Sequence, residues 1–192
     1  MKTMLGSGVK NQILEQSIKV FGKLGFKKAT MMDLAKAAGL SKQGLYLYFP
    51  SKEALFVEAA THYLDLGLKL VDRALANRDI CLEKRLLNAV DAWFGRHYET
   101  FHGGTWDVIF TANNISVKDV DHFKHAFQQQ LADAINEGLP AHAYGSCSSK
   151  EIANTIFVCG LSWKEQYTSK EVFLNQMFRC IKVCCRTPGE KK

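Results

Sequence analysis

Between residues 41 and 52 the sequence SKQGLYLYFPSK sets out Lys42, Gln43, Gly44, Tyr46 and Tyr48 with no carboxylate among them. Such a surface of cations, amide donors and rings suits a polyanion. Gln43 is long enough to reach a base edge, and bidentate pairing with adenine is the natural use of its amide. The charge distribution points the same way. Residues 1 to 60 hold nine lysines, no arginine and four acids, a surplus of five, while residues 61 to 192 hold sixteen basic and fifteen acidic side chains, a surplus of one. A basic excess confined to one segment is what phosphate binding requires, although a solvated face of a soluble domain carries the same signature.

Two further clusters have chemical potential. His122 and His125, at i and i+3 beside Asp121, have a spacing that a metal could share, but their segment SVKDVDHFKHAF is charged throughout and suits a solvated helix face. Cys180 and Cys184 at i and i+4 could form a redox pair. Inert burial explains them as well, because reactive thiols need an electropositive and accessible setting. The six cysteines show no CxxC spacing. The chain lacks a GxxxxGK[ST] phosphate loop, a GxGxxG after a strand, a GxSxG elbow and an HExxH. The expectation is a protein that is not an enzyme and needs no cofactor or metal.

The elements that must position the basic face can be read from the same stretch. Thr30 is placed to cap a helix, with Asp33 three residues later at its positive end, and Leu34, Ala35 and Ala38 supply its apolar side. Gly39 can take the positive φ of a tight turn, Leu40 plugs the corner, and Ser41 caps the next helix. Leu45 and Phe49 are that helix's buried residues. Pro50 ends it, and Ser51 caps a long helix with Lys52 and Glu53 in its first turn. Two short helices around a glycine turn make a helix-turn-helix.

From Thr30 to Phe56, TMMDLAKAAGLSKQGLYLYFPSKEALF, this segment resembles the DNA-binding signature of the TetR family of bacterial transcriptional regulators. The AxxAGLSK turn, the LYxYF recognition helix and the SKEALF opening of the fourth helix carry the resemblance. Gln43 and Gly44 depart from the small residue and Thr, Ala or Ser common in the family, and a helical glycine costs roughly 1 kcal/mol relative to alanine. The resemblance implies that Thr30, Ser41, Tyr46, Tyr48 and Lys52 bind phosphates, while Lys42, Gln43 and Gly44 approach bases or backbone in the major groove. It also implies a homodimeric repressor on palindromic double-stranded operator DNA, released by a small-molecule effector. The family's effector cavity falls among the middle helices. There Trp93, His97, Phe101, Trp106, Phe110, Asn113 and Phe127 are the expected pocket residues, though an aromatic wall is equally what an ordinary helical core looks like.

The fold expected is all-α with about nine helices, over 9–24, 31–38, 42–48, 52–76, 82–101, 105–115, 118–138, 149–166 and 170–186. A helix-turn-helix domain over 1–50 precedes an effector-binding and dimerisation domain over 51–192. Each of the last two helices shows two apolar stripes: Ile156, Cys159 and Trp163 in one, with Phe173, Met177, Phe178 and Ile181 among those of the other. Two stripes suggest burial against the body and against a second copy; two helices central to one chain's core would show the same pattern. No apolar run approaches the ~20 residues of a membrane span, and the segment Met1 to Lys10 has no secretory character, so a cytoplasmic protein is expected.

Overall fold

In a computed structural model, the structure describes residues 2–100, 120–139 and 147–185, with side chains from residue 8 onward. The described residues are helical and contain no strand. In chain order the helices are α1 Lys2–Leu24, α2 Met31–Ala37, α3 Lys42–Tyr46, α4 Lys52–Ala76, α5 Leu82–Val90, α6 Arg96–Thr100, α7 Val120–Gly138, α8 Ser149–Gln166 and α9 Lys170–Cys184. Between α5 and α6 the chain winds through one π-helical turn, Asp91–Gly95. The helices anticipated over 31–38, 52–76, 149–166 and 170–186 are found almost residue for residue. By contrast, α1 begins at Lys2 rather than at residue 9, and the helix anticipated over 105–115 lies outside the described residues.

The described residues fall into two compact units. One holds the chain up to Leu66 with Glu99–Thr100 and Val120, and the other holds Gly67–Tyr98 and the residues from Asp121 onward. The N-terminal unit therefore does not stop at residue 50. Leu55, Phe56, Ala59 and Ala60 of α4 are buried in one core with Ile13, Ile18 and Phe21 of α1, Leu34 and Ala35 of α2, and Leu45 and Phe49 around α3. Phe56 stands edge-on to both Phe21 and Phe26, each at a centroid distance of 5.1 Å. Helices as short as α2 and α3 cannot hold themselves together in water, so this shared core is what fixes them.

In the second unit, the core is a group of rings. Trp93 stacks on Phe127 at 5.0 Å, and Phe94 meets Phe127, Phe157 and Phe173. Gly160 allows this. A Cβ there would lie 2.4 Å from the Phe94 ring, so α8 can seat the ring only where it carries no side chain. Buried Arg85 donates Nε to the Leu75 carbonyl at 2.7 Å, and Lys170 pairs with Asp91 at 2.9 Å.

Candidate nucleic-acid interface

Every end of the helix-turn-helix is tied by a local bond. Thr30 Oγ1 accepts from the Asp33 amide at 3.2 Å, and Asp33 Oδ2 accepts from the Thr30 amide at 3.0 Å, a complete capping box. These Thr30 bonds hold the Asp33 carboxyl below its ordinary range. Gly39 follows α2 at φ +71°, a conformation that side chains rarely adopt, and turns the chain into α3. Ser41 Oγ accepts from the Gly44 amide at 3.0 Å, and Ser51 Oγ accepts from the Ala54 amide at 3.1 Å. Gly44 also has a packing role: a Cβ at that position would lie 3.2 Å from Ser41 Oγ and crowd the cap.

With Leu45 and Phe49 buried, the rest of α3 faces outward. Lys42, Gln43, Tyr46 and Tyr48 are all exposed, and no acid lies between Ser41 and Lys52. At 100° per residue, Lys42, Tyr46, Gln43 and Leu47 occupy one continuous arc. Leu47 was absent from the sequence reading of this face, yet it is 87% exposed. Its position four residues after Gln43, with the neighbouring core positions filled by Leu45 and Phe49, was the signal that could have found it. Met32 on α2 is a second exposed apolar side chain of this module.

Lys52 sits differently from the other lysines. Its ammonium donates to the Phe26 carbonyl at 2.9 Å and the Ala29 carbonyl at 3.0 Å, reaches the Lys27 carbonyl at 3.5 Å, and lies 4.5 Å from the centre of the Phe26 ring. The residue expected to hold a phosphate is thus engaged with the turn between α1 and α2. Its charge can still add to the local field, but its donors are directed inward.

The expected pocket residues divide. Trp93 and Phe127 are buried and stacked on each other, so the structure brings them together as core. For His97, burial first and then the nearby Lys164 and Arg96 charges push the pKa down to about 3, which leaves a neutral imidazole. The Lys164 side chain is only 3% exposed and pairs with Glu165 at 3.2 Å. Phe101, Trp106, Phe110 and Asn113 lie outside the described residues. Elsewhere in the second unit, an open cleft of about 200 Å³ is lined by Asp72, Arg78, Arg85, Gln130, Asp133 and Glu137, among which none of the expected pocket residues appears.

Of the residues expected at a dimer contact, Ile156, Phe173, Met177 and Ile181 are fully buried within the chain, Phe173 against the Phe94 ring. Cys159, Trp163 and Phe178 are half-exposed. The exposed apolar residues of these helices are instead Val158 and Leu161 on α8 and Val172 and Val183 on α9. Cys180 hydrogen-bonds Cys184 and Cys159, which raises its own pKa and lowers that of Cys184 to about 7. His122 and His125 are exposed on α7, and among the described residues no three His, Cys, Asp or Glu side chains are grouped as a metal site.

A capped helix-turn-helix with a cationic, acid-free outer arc defines a DNA-reading module of a transcriptional regulator. Comparison with known proteins agrees. Residues 13–59 match the sequence model of the bacterial regulatory proteins of the tetR family. Over 72 residues the chain is 36% identical to YerO, an uncharacterized HTH-type transcriptional regulator of Bacillus subtilis; the match covers 36% of this chain and 25% of that one. Over 62 residues it is 39% identical to the HTH-type transcriptional regulator RutR of Escherichia coli, covering 32% and 29% of the two chains. The matched segment thus spans about a quarter of the length of these curated relatives. In fold, the chain is similar to the TetR family transcriptional regulator PfmR of Thermus thermophilus, with a TM-score of 0.66 at 20% identity over 88% of this chain and 97% of that one. Residues 13–59 thus carry the DNA-binding sequence of the tetR family, and the chain shares the fold of the TetR family regulator PfmR. Among the described residues, no helix is long and apolar enough to cross a membrane.

Proposed function

We propose that this protein is a homodimeric repressor that binds an inverted-repeat operator and releases it when a small molecule binds the second unit. The observation that carries the DNA reading is the outer arc of α3, where Lys42, Gln43 and Tyr46 project from a helix capped by Ser41 and backed by Leu45 and Phe49. Thr30, Ser41, Tyr46 and Tyr48 supply hydroxyls to phosphates at the rim, Lys42, Gln43 and Gly44 face the major groove, and Lys52 holds the α1–α2 turn in place. A two-fold dimer follows from the operator geometry, since two recognition helices reading successive major grooves need half-sites about one helical turn apart. Val158, Leu161, Val172 and Val183, with half-exposed Cys159, Trp163 and Phe178 beside them, form the surface offered to the second copy.

For the effector, support comes from the aromatic group around Trp93 and from His97, which stays neutral and so can exchange hydrogen bonds without bringing a charge into an apolar site. Release requires a ligand that favours one conformer: a hundredfold loss of operator affinity corresponds to a coupling of about 2.7 kcal/mol. Selection from a random DNA pool tests the DNA reading. A dyad-symmetric winner whose affinity falls steeply with salt supports it, whereas enrichment without a dyad sinks the dimeric-operator proposal. A small-molecule release screen on that winner, followed by titration of any hit with and without DNA, tests the effector reading, because coupling demands equal and reciprocal weakening.

A further inference from the structure

We infer that Leu47 reads a thymine methyl group in the operator, next to an adenine read by Gln43. This rests on the operator-binding reading above and specifies part of what the site recognises. Leu47 is the most exposed large apolar residue among those described, at 87%, and it occupies the reading arc rather than a flank. Its backbone remains helical, at φ −69° and ψ −25°, and its amide bonds back to the Gly44 carbonyl at 3.3 Å. The four-residue spacing from Gln43 therefore places the two side chains as neighbours on one face.

Leucine does not serve a phosphate. In the major groove the apolar feature that a base pair presents is the C5 methyl of thymine, and the edge that a glutamine amide matches bidentately is that of adenine. An amide and an isobutyl group side by side thus complement an A·T pair or two adjacent ones. The surroundings favour DNA as occupant over another protein: Lys42 is exposed on the same arc, the flanking rings are exposed tyrosines with polar tips, and residues 41–52 contain no carboxylate to repel a phosphate backbone.

The test replaces, one at a time, each thymine of the selected operator with deoxyuridine, which removes the methyl and leaves base pairing and hydrogen-bonding edges unchanged. In wild-type protein, one position per half-site should lose affinity about three- to fivefold, the effect expected for one buried methyl. Leu47→Ala should bind wild-type operator more weakly and be indifferent to deoxyuridine at that position, while Leu47→Met, which keeps apolar reach, should retain most of the sensitivity. Gln43→Ala should relax the preference for adenine at the same pair or the adjacent one. Uniform tolerance of deoxyuridine by the wild type, or unchanged sensitivity in Leu47→Ala, overturns the inference. Either result leaves operator binding itself standing, since wild-type affinity for the unmodified duplex is measured in the same series.

Discussion

Replacing Lys52 with methionine separates two roles that its position allows. The ammonium is shared among the carbonyls of Phe26, Ala29 and Lys27 at 2.9, 3.0 and 3.5 Å and lies over the Phe26 ring. A hydrogen bond to a charged group nets roughly 1.5–3 kcal/mol, and a partly exposed cation–π contact adds about 0.5–1 kcal/mol. Lys52 and Phe26 are both half-buried, so water can reach the turn once the ammonium is gone and reclaim part of this. The expected loss is then about 2 kcal/mol. With a urea dependence of about 2 kcal/mol per molar, the unfolding midpoint of the N-terminal unit should fall by about 1 M.

The same variant has a second readout. A lysine neutralising one phosphate contributes about 0.9 to the slope of log K against log salt, whereas an inward-directed lysine contributes little. Operator binding measured across a salt series, at a urea-free temperature where the variant is folded, should show nearly the wild-type slope. Lys52→Arg should recover only part of the stability, because a planar guanidinium cannot satisfy carbonyls that converge on a point charge. An unmoved midpoint together with a slope reduced by about one would refute this reasoning and return Lys52 to the phosphate backbone.

Three other perturbations address the second unit. Gly160→Ala puts a methyl against the Phe94 ring, where the gap is only 2.4 Å, and should destabilise the protein by about 1–3 kcal/mol in denaturant melts. Leu161→Asp or Val158→Asp should turn a micromolar dimer into a monomer in sedimentation while leaving the thermal midpoint of the folded chain nearly unchanged; Phe173→Ala, inside the core, should instead cost about 3–5 kcal/mol. His97 has a folded pKa near 3, below its ordinary value of 6.5, so the unfolded chain binds the extra proton between those values. Its contribution is fully favourable above pH 6.5 and is lost as pH falls toward 3, by up to about 1.4 kcal/mol per pH unit. His97→Gln should flatten the wild-type stability profile over that window, and parallel profiles for the two proteins would show that the imidazole does not titrate there.

What the sequence disclosed and what it withheld differ by range. Thr30 with Asp33, Ser41 with Gly44 and Ser51 with Ala54 are partners three residues apart, so residue type and spacing contain the whole interaction. The helix starts at Met31, Lys42 and Lys52 could be read for that reason. Lys52 finds its carbonyls 23 to 26 residues away, across a packing arrangement that no periodicity encodes, so these bonds were not legible in the sequence. The domain boundary moved for a related cause: the first turns of α4 carry an apolar face, but only the presence of Phe21 and Phe26 opposite Phe56 assigns that face to the N-terminal core.

The last two helices present the harder version of this problem. Periodicity identifies apolar stripes on α8 and α9 but cannot choose which one the chain itself covers. That choice is made by one ring and one absent side chain: Phe94 seats over Gly160, and the stripe through Ile156 turns inward with it. Phe173 follows from α9, closing on the same ring. Val158 and Leu161 then necessarily turn toward solvent, on the side of α8 away from Gly160. The residues that a second copy would meet are therefore set by the packing of a single phenylalanine, which is why mutating the exposed pair and mutating Phe173 should have separable effects.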